Sequence, residues 1–192
     1  SVYSAGTDNI RLRWNEVGGA DGYQIWRQNE DGSYSIVKTL GDRDNTLTND
    51  QGATTGYSNV GVEAGKTYTY KMRAFAIPED GTKVFGTYSD EFTVAVMPEA
   101  PASISAESVN PGSAYIQWSS VDGAAGYQLW MSTSSDGEYE IAKVISDGTT
   151  ISYSKQDLES GSNYYFKVRA FTDVDGKKTF GGYSDVVSVQ AK

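Results

Sequence analysis

At 192 residues, with 25 acidic against 16 basic side chains, the chain carries a formal charge of −9 and repels both a nucleic-acid backbone and an anionic membrane surface. It has no Cys and no His, which removes thiol nucleophiles, Ser-His-Asp triads, imidazole acid–base work, ordinary zinc sites and disulfide staples. Fourteen Tyr and 21 Gly beside scarce Leu favour strands and turns over helices, and no apolar run approaches the roughly 20 residues of a membrane-spanning helix.

In chain order, Ser1-Val2-Tyr3-Ser4 reads as a first strand entered part-way. Ile10, Leu12 and Trp14 alternate with polar residues and predict a half-buried second strand. Gly18-Gly19 marks a turn, and GYQIW at 22–26 a strand with Tyr23 and Ile25 inward and Trp26 outward. A turn at Asp31-Gly32 and the long polar loop 41–56 follow. The alternation Tyr68, Tyr70, Met72, Ala74 predicts an inward face on the sixth strand, which leaves Lys71 and Arg73 outward. PEDG at 78–81 reads as a hairpin tip, and YSD occupies 88–90.

After MPEAP at 97–101 the pattern starts again. Ala114, Ile116 and Trp118 alternate; GYQLW stands at 126–130; Tyr164, Phe166, Val168 and Ala170 alternate around Lys167 and Arg169; YSD returns at 183–185. Trp14 and Trp118 lie 104 residues apart, Arg73 and Arg169 lie 96 apart, and Tyr88 and Tyr183 lie 95 apart. Constant offsets mark shared framework and changes of offset mark loops, the largest being at 41–56. The reading is two domains, 1–97 and 102–192, joined by a short stiff linker at 98–101 whose two prolines restrict it. Seven or so short strands per copy, with turns every 8–12 residues, predict an all-β chain of two consecutive immunoglobulin-like sandwiches.

The ordered set of motifs resembles the fibronectin type III family in both copies. Trp14 and Trp118 resemble its core tryptophan. Val62-x-x-Gly65-x-x-Tyr68 and Leu158-x-x-Gly161-x-x-Tyr164 resemble its tyrosine corner, in which the Tyr68 or Tyr164 hydroxyl would bond to nearby backbone. The combination GADGYQIW, AGKTYTYKMRAF and GTYSD is similar to repeats of large secreted or wall-attached bacterial proteins and glycan-degrading enzymes. The resemblance implies a role as spacer, with occasional binding.

Two places invite a functional reading. Trp26 and Trp130, outward beside Arg73 and Arg169, would form either a sugar-stacking platform or a Trp packed under Arg and Lys stems by cation–π contact. The loop around Asp42 and Asp44 would offer calcium its oxygens, or be a solvated loop; it lacks the Gly and terminal Glu of a calcium loop. The hairpin tips 78–81 and 173–176 lack the Arg-Gly-Asp that some animal relatives carry there. No carboxylate pair sits in a recognisable catalytic motif, so no catalytic residue, metal ligand or cofactor is expected.

The expectation for function is a non-catalytic spacer in a larger extracellular or cell-surface bacterial protein. Its partners would be the other domains of the same parent chain, and the tandem would form an elongated rod. The alternative is a binding module for a glycan or a surface protein, using the outward Trp/Arg face or the 41–56 loop.

Overall fold

The computed structural model describes residues 2–4, 6–41 and 56–192. Asp42 and Asp44, and the calcium reading attached to them, lie outside the described residues. Among those described there is no helix. The chain divides into two compact units: unit 1 is Ser1–Val62 with Thr67–Val96, and unit 2 is Met97–Lys192 with Glu63–Lys66.

In unit 1, β1 (Val2–Ser4), β2 (Asn9–Arg13) and β5 (Gly56–Val60) form one sheet, in the order β1-β2-β5. The other sheet runs β4 (Tyr34–Leu40), β3 (Gly22–Gln28), β6 (Thr67–Ala76), β7 (Val84–Phe85), with β8 (Phe92–Ala95) also paired to β6. Unit 2 repeats this. Its first sheet is β9 (Ile104–Glu107), β10 (Ala114–Trp118) and β13 (Ser152–Lys155). Its second is β12 (Glu140–Ile145), β11 (Gly126–Ser132), β14 (Asn163–Val174) and β15 (Lys177–Tyr183), with β16 (Val187–Gln190) on β14. Each unit is a seven-position sandwich whose last strand is broken in two.

The repeated YSD motif sits at that break. The Ser184 N–H donates to the Val168 carbonyl (2.8 Å), the Val168 N–H donates to Ser184 Oγ (3.1 Å), and Ser184 Oγ donates to the Asp185 carbonyl (2.8 Å). Ser89 makes the same three bonds with Met72 and Asp90, at 2.7, 3.1 and 2.8 Å. A serine hydroxyl thus takes over the ladder where strand pairing lapses, so no backbone donor is left unpaired in a buried sheet.

The cores lie between the sheets. Ile10, Leu12, Ile25, Tyr70, Val94 and Val96 are buried in unit 1, and Ile116, Trp118, Leu129, Phe166, Val168 and Ala170 in unit 2. The inward parity expected on the sixth strand holds throughout unit 2, where Val168 and Ala170 are sealed, but Met72 and Ala74 of unit 1 are only half-buried. Trp118 ends β10 and is buried, whereas Trp14 falls one residue past β2 and is half-buried. Tyr127 fastens the turn before its own strand by accepting from the Val121 N–H (3.0 Å), as Tyr23 does from Val17 (2.8 Å). At the corner, the Glu159 N–H donates to the Tyr164 hydroxyl (2.9 Å); Tyr68 packs on the unit 1 core with Arg27 over its ring at 5.2 Å.

One buried polar pair belongs to unit 1 alone. The Tyr70 hydroxyl donates to Asn59 Oδ1 (3.0 Å), and Asn59 Nδ2 donates to the Val60 carbonyl (3.0 Å); unit 2 has Phe166 at the matching place. Burial pushes the Tyr70 phenol up to about 12. An unfolded tyrosine ionises near 10, so this contribution is intact below about pH 10 and drains away as pH climbs to about 12, by up to ~3 kcal/mol. Denaturant unfolding of unit 1 is expected to weaken more steeply over that window in the parent chain than in Tyr70→Phe. Parallel pH curves for the two would contradict the assignment.

Candidate functional site

The outer face of the larger sheet gathers the residues singled out by sequence. β3 and β6 are antiparallel with Gln24 opposite Arg73 and Trp26 opposite Lys71. Period-two alternation therefore puts all four on one face. Arg73 Nε and Nη2 both donate to Gln24 Oε1, at 3.0 and 2.9 Å. Its guanidinium carbon lies 3.9 Å from the Phe85 ring centre, 4.8 Å from Tyr88 and 5.5 Å from Trp26. Trp26 meets Tyr88 edge-to-face at 5.8 Å, and Lys71 Nζ sits 3.6 Å above the Tyr34 ring.

Unit 2 builds the same ladder from its own copies. Gln128 stands opposite Arg169 and Trp130 opposite Lys167. Arg169 Nε and Nη2 donate to Gln128 Oε1 at 2.9 and 2.8 Å. The guanidinium lies 4.2 Å from Phe180, 5.0 Å from Tyr183 and 5.4 Å from Trp130, and Lys167 Nζ lies 4.1 Å from Tyr139. Cations alternate with aromatic rings and each guanidinium has a fixed acceptor. Such an assembly clamps three adjacent strands together. Parity alone brings the Trp and Arg positions together; it does not supply Gln24, Phe85, Tyr88 and Tyr34, which come from other strands and from the break in the last one. Their sequence signal was recurrence, in GYQ and YSD.

The shared glycine of GYQIW and GYQLW serves the same face. Gly22 lies opposite Phe75 and Gly126 opposite Phe171. Both phenylalanines have outward parity yet are buried, because each ring folds over the glycine. A methyl group on Gly126 would overlap the Ile145 carbonyl oxygen and stand 2.6 Å from Phe171 Cζ.

Unit 1 also holds a groove of about 370 Å³ beside Trp14, between Met72 and Ala74 of β6 and the stretch Gly86–Ser89. In unit 2 the matching stretch carries a segment of chain: the Pro98 and Glu99 carbonyls lie against Gly181, Ala100 lies against Gly182, and Pro98 and Pro101 are buried. Residues 98–101 therefore pack on unit 2 besides joining the repeats. The edge also differs. Unit 2 turns from β14 to β15 through Asp175 and Gly176, both with positive φ (52° and 80°), a two-residue hairpin that keeps pairing continuous. Unit 1 has Pro78 just after β6, which lacks an N–H, and its β7 is two residues long.

Among the described residues no group of three or more acidic side chains is placed to hold a metal ion.

No family model matches the chain. It resembles the two fibronectin type III domain segment of chicken tenascin at a TM-score of 0.51 and 16% identity, covering 98% of this chain and 94% of that one. At that identity the likeness shows the fold: two consecutive fibronectin type III β-sandwiches. A Fn3-like protein from Clostridium thermocellum is 25% identical over 48% of this chain and 92% of its own, at a TM-score of 0.42. An amylopullulanase of Thermoanaerobacter thermohydrosulfuricus is 30% identical over 116 residues, which are 60% of this chain and 8% of that protein.

Proposed function

From the fold of two fibronectin type III domains in tandem, we propose that the chain is a non-catalytic spacer within a larger extracellular bacterial protein. The observation that carries this reading is the closure of the Trp/Arg ladder on itself in both units. The guanidinium groups of Arg73 and Arg169 bond to Gln24 and Gln128 and lie against aromatic rings, so the shared face is committed to holding strands together. The repeated glycines and the YSD serines likewise serve the framework. The local match to 8% of an amylopullulanase supports a modular parent, and with it the extracellular setting and the other domains of that parent as partners.

A second reading, a glycan-binding face, has one observation in its favour. Tyr88 and Tyr183 at the ladder's edge are 42% and 39% exposed, and exposed aromatic rings can stack on sugars. Titration with amylose, pullulan and an acidic polysaccharide, followed by indole emission, separates the two. The spacer predicts no change at any concentration reached. A saturable change that disappears in the Tyr88→Ala, Tyr183→Ala double variant would replace it by the binding reading.

A further inference from the structure

The two units differ most at the groove beside Trp14, and unit 2 indicates what such a groove accepts. There the backbone of Pro98 and Glu99 runs over Gly181, and Ala100 touches Gly182. Beneath that segment Trp118 is 2% exposed, and Val168 and Ala170 are fully covered. In unit 1 the matching Trp14, Met72 and Ala74 are half-buried and line the cavity. The indole N–H of Trp14 is buried without an acceptor, a costly state for a polar group. Gly86 matches Gly181 and again presents no side chain where a backbone carbonyl would approach.

We propose that this groove is the seat of an extended, Pro-containing segment that runs into β1 from its N-terminal side, with the chemistry of Met97–Ile104. The register supports that direction of entry. Val2 pairs with Leu12 and Ala106 with Ile116, so Val2 occupies the place of Ala106, and the positions matching Met97–Ile104 stand ahead of Ser1. In unit 2 the strand continues to Ile104, opposite Trp118, before it crosses to Gly181. The same path in unit 1 leads from β1 past Trp14 into the cavity. Charge agrees: Arg73 lines the groove, so the acidic residue of a Pro-Glu-Ala-Pro segment meets a cation in a chain whose net charge is −9. Prolines hold the segment extended before it docks, which lowers the entropy cost of seating it.

The test compares the full chain as it stands with two forms extended ahead of Ser1, one by Met-Pro-Glu-Ala-Pro-Ala-Ser-Ile and one by a Gly/Ser octamer. Hydrogen exchange is read at the Trp14 indole and at the Gly86–Ser89 amides. The Pro-containing extension is expected to slow exchange there about tenfold or more, and the Gly/Ser octamer to leave it unchanged. Gly86→Ala supplies the second arm. Its methyl would lie 3.6 Å from the Ala74 carbonyl oxygen, an ordinary contact, so the unextended variant is expected to fold with unchanged exchange. That methyl would block the carbonyl approach seen at Gly181 and abolish the protection gained from the extension. Equal exchange with both octamers, or protection that survives Gly86→Ala, overturns the proposal.

Discussion

Gly126→Ala is expected to destabilise unit 2 by about 3 kcal/mol, and Gly22→Ala to do the same to unit 1, a lowering of that unit's melting temperature by more than about 12 °C. The added methyl has nowhere to go. At Gly126 it meets the Ile145 carbonyl oxygen and the Phe171 ring, and at Gly22 the Leu40 carbonyl oxygen and the Phe75 ring. A carbonyl engaged in sheet pairing moves only if β11 and β12 separate. The ring moves only by giving up its place over the glycine and its edge-on contact with Phe180, or with Phe85 in unit 1. Gly18→Ala is the matched control, since a methyl there meets nothing within 4 Å. Thermal unfolding with amide exchange assigned to each unit reads both effects. A loss under about 1 kcal/mol at Gly126 would mean that the ring and strand edge yield easily, and the close-approach argument would fall.

The second large effect separates two tryptophans that sequence treats as equivalent. Trp118→Ala is expected to cost about 4 kcal/mol, and Trp14→Ala about 2 kcal/mol. Trp118 is enclosed by the unit 2 core and packs on Tyr127 at 5.5 Å. Its removal leaves a void walled by side chains that are already fixed. Trp14 packs on Tyr23 at 5.3 Å but also borders the groove, so part of its surface is already in water and the void it leaves opens to solvent. Urea unfolding of the two variants, followed in the affected unit, gives the comparison. Equal losses would show that the groove contributes nothing to the energetics of Trp14.

Periodicity and recurrence carried the reading of the chain a long way. Alternation at Ile10 and Leu12, at Ile116 and Trp118, and along Tyr164–Ala170 has a direct physical cause, because a strand between core and solvent must change character at every residue. Asp-Gly and Gly-Gly pairs marked turns because positive φ is cheap for glycine, as at Gly19, Gly32, Gly81 and Gly176. The order of those signals, given twice, was enough for a tandem of sandwiches. Other features rest on contacts between residues far apart in sequence. Phe75 and Phe171 have outward parity and would be read as exposed; they are buried because a glycine lies across the strand pair. The acceptors and rings around Arg73 come from β3, β4, β7 and the break after it, and no local pattern links them.

By itself, then, the sequence determined the class of fold, the doubling of the unit and the faces of most strands, since these follow from residue-by-residue preference for water or core. It also determined what the chain lacks, the imidazole and thiol groups on which much catalysis depends. Only the tertiary structure decided that the repeated Gly, Gln, Trp, Arg and Ser act together as framework, and that Trp14 borders a groove while Trp118 is sealed. Those outcomes depend on which side chain stands across from which, and cross-strand neighbours are set by register and packing between residues some 50 positions apart, as Gln24 and Arg73 are.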